Sequence, residues 1–119
     1  MANQRMFSNL VLESDEYNDM PVLTQQFYIR LCMRGDDDGF VNNIKQIQKI
    51  TGAGDKDLEL LIKNGLIIPF DSGVIVIRHW HIHNGIREDR KTPTLYQAEY
   101  SKLTRFNDVY YLKKEVKTE

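Results

Sequence analysis

In "PVLTQQFYIRLCMR" the apolar side chains Leu23, Phe27, Tyr28, Leu31 and Cys32 fall at i, i+4, i+5, i+8 and i+9, which is one face of a helix. Upstream, Ser14 ahead of Asp15 and Glu16 reads as an N-cap followed by acids that favour the helix dipole. Pro21 ends that short turn and can serve as the first residue of the next helix. "GDDDG" then breaks the pattern and reads as a solvated turn around Asp36, Asp37 and Asp38. Its acids lack the alternating spacing and terminal Glu of a calcium loop. After a short extended pair, Phe40 and Val41, the residue Asn42 or Asn43 caps a helix whose inner face carries Ile44, Ile47 and Ile50 and which ends at Gly52. "KDLELLIKNG" repeats the scheme, with Leu58, Leu61 and Ile62 as the buried stripe and Gly65 past the end. Two short helices so close together predict a helix-turn-helix. "LIIPF" and "VIVIRHW", separated by "DSG", predict a β-hairpin, with Pro69 facing outward or lying at a sheet edge.

The order helix, short strand, helix, helix, strand, turn, strand is that of a winged helix. The predicted class is α+β: a three-helix core with a hairpin wing over residues 1–91, then a C-terminal helix and flexible tail over residues 92–119. Thr92 and Pro93 read as N-cap and first residue of that last helix, with Tyr96, Tyr100 and Leu103 at i, i+4 and i+7. "NDVYYL" is a short strand or an irregular tail. Tyr100, Tyr110 and Tyr111 are aromatic groups in search of a surface.

One hundred and nineteen residues make one domain with a modest core. The net charge of −1 hides an asymmetry: residues 1–72 carry seven Lys/Arg against eleven Asp/Glu, and residues 73–119 carry nine against six. Cys32 is the only cysteine, which excludes an intrachain disulfide and a cysteine zinc site; its apolar neighbours point to a buried thiol. Neither a signal peptide nor a stretch approaching the roughly 20 apolar residues of a membrane span is present, so a cytoplasmic protein without membrane contact is expected.

A helix-turn-helix suggests DNA, but the outward positions of the second helix include Asp55, Asp57 and Glu59, which repel phosphate. The better electrostatic surface runs along the wing and beyond: Arg78, His81, His83, Arg87, Arg90 and Lys91, joined by Lys45 and Lys49 one turn apart and by Lys56. His79, His81 and His83 alternate in "RHWHIH" and would share a strand face with Ile75 and Ile77. The Asn84-Gly85 turn and the want of further His or Cys ligands argue against zinc. His79 is expected to pack at the sheet end, His81 and His83 to form hydrogen bonds or face phosphates, and Trp80 to lie in the core or anchor an interface. Nothing resembles a nucleophile elbow or a phosphate-binding glycine loop, so an enzyme and a cofactor are not expected.

Three stretches, "DMPVLTQQFYIRLCMRGDDDGFV", "LLIKNGLIIPFDSGVIVIRHW" and "IHNGIREDRKTPTLYQAE", resemble the N-terminal domain of phage replisome organiser proteins, which belong with the DnaD-like replication initiators. The similarity spans roughly residues 5–100. It implies a winged-helix adaptor that assembles replication machinery in a bacterial host cell and touches DNA weakly or without sequence preference. Its implied partners are replication proteins such as a helicase or helicase loader and further copies of itself. Members of that family have a linker and a second, helical domain, which the resemblance places outside these 119 residues. Arg34 and Gly85 depart from the pattern, where a small apolar and a bulky residue are usual. The rivals are a winged-helix transcription regulator, which wants a more basic recognition helix, and an oligomerisation module with no DNA contact.

Overall fold

The computed structural model describes residues 6–85 and 91–115, apart from the side chain of Glu115. It is a mixed α+β chain with two small antiparallel sheets. Helices α1 (Asn9–Leu12) and α2 (Asp15–Asn18) open the chain. Ser8 and Ser14 cap them, their hydroxyls accepting from the N–H of Leu10 and Tyr17. Helix α3 (Val22–Met33) begins directly after Pro21 and buries Phe27, Tyr28, Leu31 and Cys32 as its periodicity predicts, while Leu23, expected on the same face, is exposed in the first turn and Thr24 is buried instead. It packs against α4 (Ile44–Thr51) and α5 (Asp55–Lys63).

Local chemistry sets the turn between those two helices. Gly52 takes the left-handed conformation at φ 81° and ends α4. Asp57 receives the Gly54 N–H at 2.8 Å and the hydroxyl of buried Thr24 on its other oxygen. Asp57 is therefore not an outward acid, as its position in the sequence suggests, but the bolt between α5 and α3. Helix α5 ends in a paired closure, Leu66 N–H to Leu61 C=O at 3.0 Å and Gly65 N–H to Ile62 C=O at 3.0 Å. Ile50, expected on the inner face of α4, is 54% exposed, because that helix ends one residue later and its last turn overhangs the core.

Strand β1 (Phe40–Val41) lies between α3 and α4 in sequence, and β2 (Ile67–Pro69) and β3 (Ile75–Ile77) form the expected hairpin. The sheet order is β1-β3-β2, with Val76 between Phe40 and Ile68. Gly73, at φ 90°, closes the three-residue loop by donating to the Phe70 carbonyl at 3.0 Å. Pro69 is exposed on edge strand β2, where a missing N–H costs no ladder bond.

Beyond β3 the chain departs from expectation. The strand stops at Ile77, and Trp80–His83 coil into a helical turn, α6. The histidines therefore do not alternate along a strand. No long helix follows Thr92 and Pro93 either. Residues 91–94 run without helix or strand, and α7 is a single turn, Gln97–Tyr100. Leu103 belongs to a second hairpin, β4 (Leu103–Phe106) and β5 (Val109–Leu112). Its two-residue turn, Asn107 and Asp108 at φ 52° and 64°, has the twist that antiparallel strands favour. The supposed aromatic tail finds its surface inside the chain. Tyr110 is buried, Tyr100 packs against Phe40 and Tyr110, and the Arg78 guanidinium lies 5.5 Å from the Tyr111 ring centre.

Candidate functional site

The acidic turn is a closed polar hub rather than a solvated loop. Asp37 and Asp38 are each 2% exposed. Asp36 Oδ1 accepts the N–H of Asp38 and Phe40, and its Oδ2 accepts the Thr94 hydroxyl at 2.6 Å. The Asp37 carboxylate accepts Thr92 N–H at 2.9 Å, and Asp38 accepts Thr94 N–H at 2.9 Å and pairs with the Lys91 ammonium at 2.9 Å. The backbone carbonyls are used as well: Asp37 takes Trp80 Nε1–H at 3.0 Å and Asp38 takes the Tyr110 hydroxyl at 2.9 Å. The glycines flanking the acids pack on the indole. A Cβ on Gly35 or Gly39 would stand 2.7 Å from a Trp80 ring carbon, and Gly39 also needs φ +91°. The acids thus hold the 91–94 segment down across buried Trp80.

The same geometry engages several of the candidate DNA contacts within the chain. Lys91 is bound to Asp38, with its ammonium 6.0 Å from the Tyr100 ring centre. Arg78 exchanges bonds with the second hairpin, donating from Nη1 to the Tyr110 carbonyl at 3.2 Å while its own carbonyl accepts Tyr110 N–H at 2.9 Å. His81 Nε2 meets the Tyr110 hydroxyl at 2.8 Å; that proton already goes to Asp38, so Nε2–H is the donor. His83 is buried, with Ser8 N–H donating to Nδ1 at 2.8 Å and Nε2 2.8 Å from the Tyr28 hydroxyl, which in turn reaches the Cys32 thiol. Both nitrogens of His83 are spent, and it has nothing left to offer a phosphate.

Burial keeps these rings uncharged. His81 is pushed down to about 4 by desolvation, then by the Arg105 charge. His83 is pushed down to about 4 by desolvation, then by His79. His79 is lowered by desolvation and by Arg78. Neutral imidazoles contribute no charge toward phosphate at pH 7. His81 and His83 turn to different partners, and among the described residues no group of His, Cys, Asp or Glu is arranged to hold a metal ion. Burial pushes the Cys32 thiol up to about 12, so at neutral pH it is a packing group.

Arg87 and Arg90 lie outside the described residues. Lys45, Lys49 and Lys56 are exposed on α4 and α5. Lys45 lines a groove of about 620 Å³ between the start of α4, the start of α5 and the β2–β3 hairpin, together with Asn42, Gln46, Gln48, Asp55 and Tyr96. Asp55 is engaged there by Gln48 at 3.1 Å. A second cavity shares Pro69 and Phe70 with this groove and is rimmed by Lys102, Lys113 and Lys114, all exposed. The sequence reading missed these three lysines. Lys113 and Lys114 stood in a stretch expected to fray, and only the Asn107-Asp108 turn signal hinted that the chain doubles back to bring them beside Lys102.

No family model, curated protein or solved structure matches this chain. No helix among the described residues is long and apolar enough to cross a membrane.

Proposed function

We propose that this chain is a winged-helix domain of a phage-type replication initiator, an adaptor that contacts DNA through its wing face without reading sequence. The observation that carries this is the order α3-β1-α4-α5-β2-β3 with strands arranged β1-β3-β2, which brings two helices and a hairpin to one side of the molecule with Lys45 in the groove between them. The exposed residues of α5 include Asp55, Lys56, Glu59 and Lys63, two charges of each sign. That helix carries no Arg, Asn or Gln, and Lys56, its cation nearest the groove-facing end, stands between Asp55 and Asp57 with Glu59 beyond. This favours backbone contact over base reading and counts against a transcription regulator. The implied partners, a helicase or helicase loader and further copies of the chain, and a location in the cytoplasm of a bacterial host, rest on the sequence resemblance.

The test is fluorescence anisotropy of a labelled duplex titrated with the full chain at about 50 and 200 mM salt, where phosphate-driven binding weakens steeply. The expected result is sequence-independent binding that fades with salt. The Lys45→Ala/Lys49→Ala/Lys56→Ala variant should lower the log–log salt slope by up to about 2.7, at roughly 0.9 per phosphate contact. A chain that binds neither duplex nor single strand at low salt refutes DNA contact and leaves an assembly module.

A further inference from the structure

The cavity beside the wing, about 500 Å³, combines two features that duplex contact does not need. Its floor is apolar, made by Pro69, Phe70 and Leu112, and its rim carries Lys102, Lys113 and Lys114. The volume lies within the range of roughly 300–1,000 Å³ typical of small-ligand sites. Phe70 is backed by Phe40, ring centres 6.0 Å apart, so the floor is ordered before anything binds.

The lysines are held together by the second hairpin. Lys113 N–H donates to the Lys102 carbonyl at 2.9 Å, one step beyond the Leu103–Leu112 pair, so these two cations stand opposite each other at its open end. Like charges directly opposed across strands destabilise a hairpin. Lys114 follows in the 3₁₀ turn Lys113–Glu115. Asp71 is the acid in the lining, and Glu99, near Lys102, is engaged by the Ser72 hydroxyl at 2.6 Å. Among the described residues the lining sets three cations against one carboxylate, an excess that an anion with more than one charge would relieve.

We propose that this cavity takes one nucleotide unit of single-stranded nucleic acid, with its base against Phe70 and Leu112 and its flanking phosphates on Lys102, Lys113 and Lys114, an inference that rests on the DNA-contact reading above. A base offers its face to an apolar floor only when unstacked and unpaired, and aromatic surface beside cations is how single strands are held without sequence preference. A duplex would present phosphates alone and leave the floor empty.

The experiment compares a labelled thymidine oligonucleotide of about fifteen residues with an abasic one of equal length and a duplex, each titrated with the full chain at two salt concentrations. The thymidine strand should bind about tenfold more tightly than the abasic strand, as stacking of one base would give. The Lys102→Ala/Lys113→Ala/Lys114→Ala variant changes exposed side chains only, and its melting temperature checks the fold. It should lower the single-strand salt slope by about 2, so that a fourfold rise in salt costs roughly 20-fold less affinity than in the parent. Phe70→Leu keeps an apolar floor and should abolish the preference for bases over abasic sites. Equal affinity for thymidine and abasic strands, or an unchanged lysine variant, overturns this proposal while duplex binding still supports the broader reading. Binding to neither strand nor duplex overturns both. Stronger binding of a labelled polyglutamate peptide than of the thymidine strand overturns it in favour of an acidic protein partner.

Discussion

Replacing Asp38 by Ala tests whether the acidic turn is a buried latch. The carboxylate is 2% exposed and holds two groups, the Lys91 ammonium at 2.9 Å and the Thr94 N–H at 2.9 Å. Removing one partner of a buried ion pair strands the other, at a cost of about 3–5 kcal/mol. For a chain of 119 residues each kcal/mol shifts the melting temperature by about 4 °C, so Asp38→Ala should melt roughly 12–20 °C lower. Asp38→Asn keeps an oxygen for Thr94 and loses only the charge, and should fall by about half as much. Adding Lys91→Met to Asp38→Asn removes the stranded cation and should restore about 1–3 kcal/mol, the coupling range of contacting residues. The assay is thermal unfolding by circular dichroism on all four proteins. Asp38→Ala melting within about 4 °C of the parent would refute the latch, since a solvated surface carboxylate is worth no more than about 1 kcal/mol.

Acid should destabilise the fold through its buried histidines. His81 and His83 sit near 4 when folded against 6.5 in the unfolded chain, so the stability they hold is complete above pH 6.5 and is lost as pH falls toward 4. At 1.36 kcal/mol per unit the loss is about 3 kcal/mol for buried His83 and less for partly exposed His81, and urea midpoints between pH 7 and 4.5 should follow it; a His83→Leu variant should flatten the profile. Gly39→Ala combines a φ of +91° with a Cβ 2.7 Å from the indole and should cost about 2–4 kcal/mol, whereas Gly85→Ala, with no atom of the described residues within 4 Å of its new methyl, should stay within about 0.5 kcal/mol in the same urea series. Asp108→Gly relieves a positive φ of 64° and gives up only an exposed ion pair with Arg105, so it should raise the melting temperature by about 2–4 °C. Arg78→Ala should lower stability by about 1–3 kcal/mol through the Tyr110 carbonyl it serves, with duplex affinity unchanged in the anisotropy assay.

Helices α3, α4 and α5 and the β2–β3 hairpin were legible because each carries its own local signal. Their apolar spacing repeats within one element, and Gly52, Gly65 and Gly73 mark ends that require positive φ. The region after Ile77 was not, because distant partners decide it. Trp80 leaves the strand to send its Nε1–H to a carbonyl 43 positions away, and Thr92 to Thr94 stay non-helical because their N–H groups are taken by acids 55 and 56 positions upstream. The same blindness misassigned the charges. Asp36, Asp37 and Asp38 looked solvated and Arg78, His83 and Lys91 looked available, yet each completes a bond with a residue that no local window contains.

The hub also sets a timetable for the chain. Beyond the local bonds of Asp36, residues 36–38 bond partners 43 to 72 positions downstream, so the hub closes fully only after Tyr110 has been synthesised. The three helices have local contacts and can form early, but loop closure over such separations is slow. Until it happens, three carboxylates and an indole stand exposed beside a half-made sheet. A knot of polar groups that tightens around Trp80 after the helices are in place acts on the way out rather than on the way in, and substitutions at Lys91, Thr94 or Tyr110 should mainly speed unfolding.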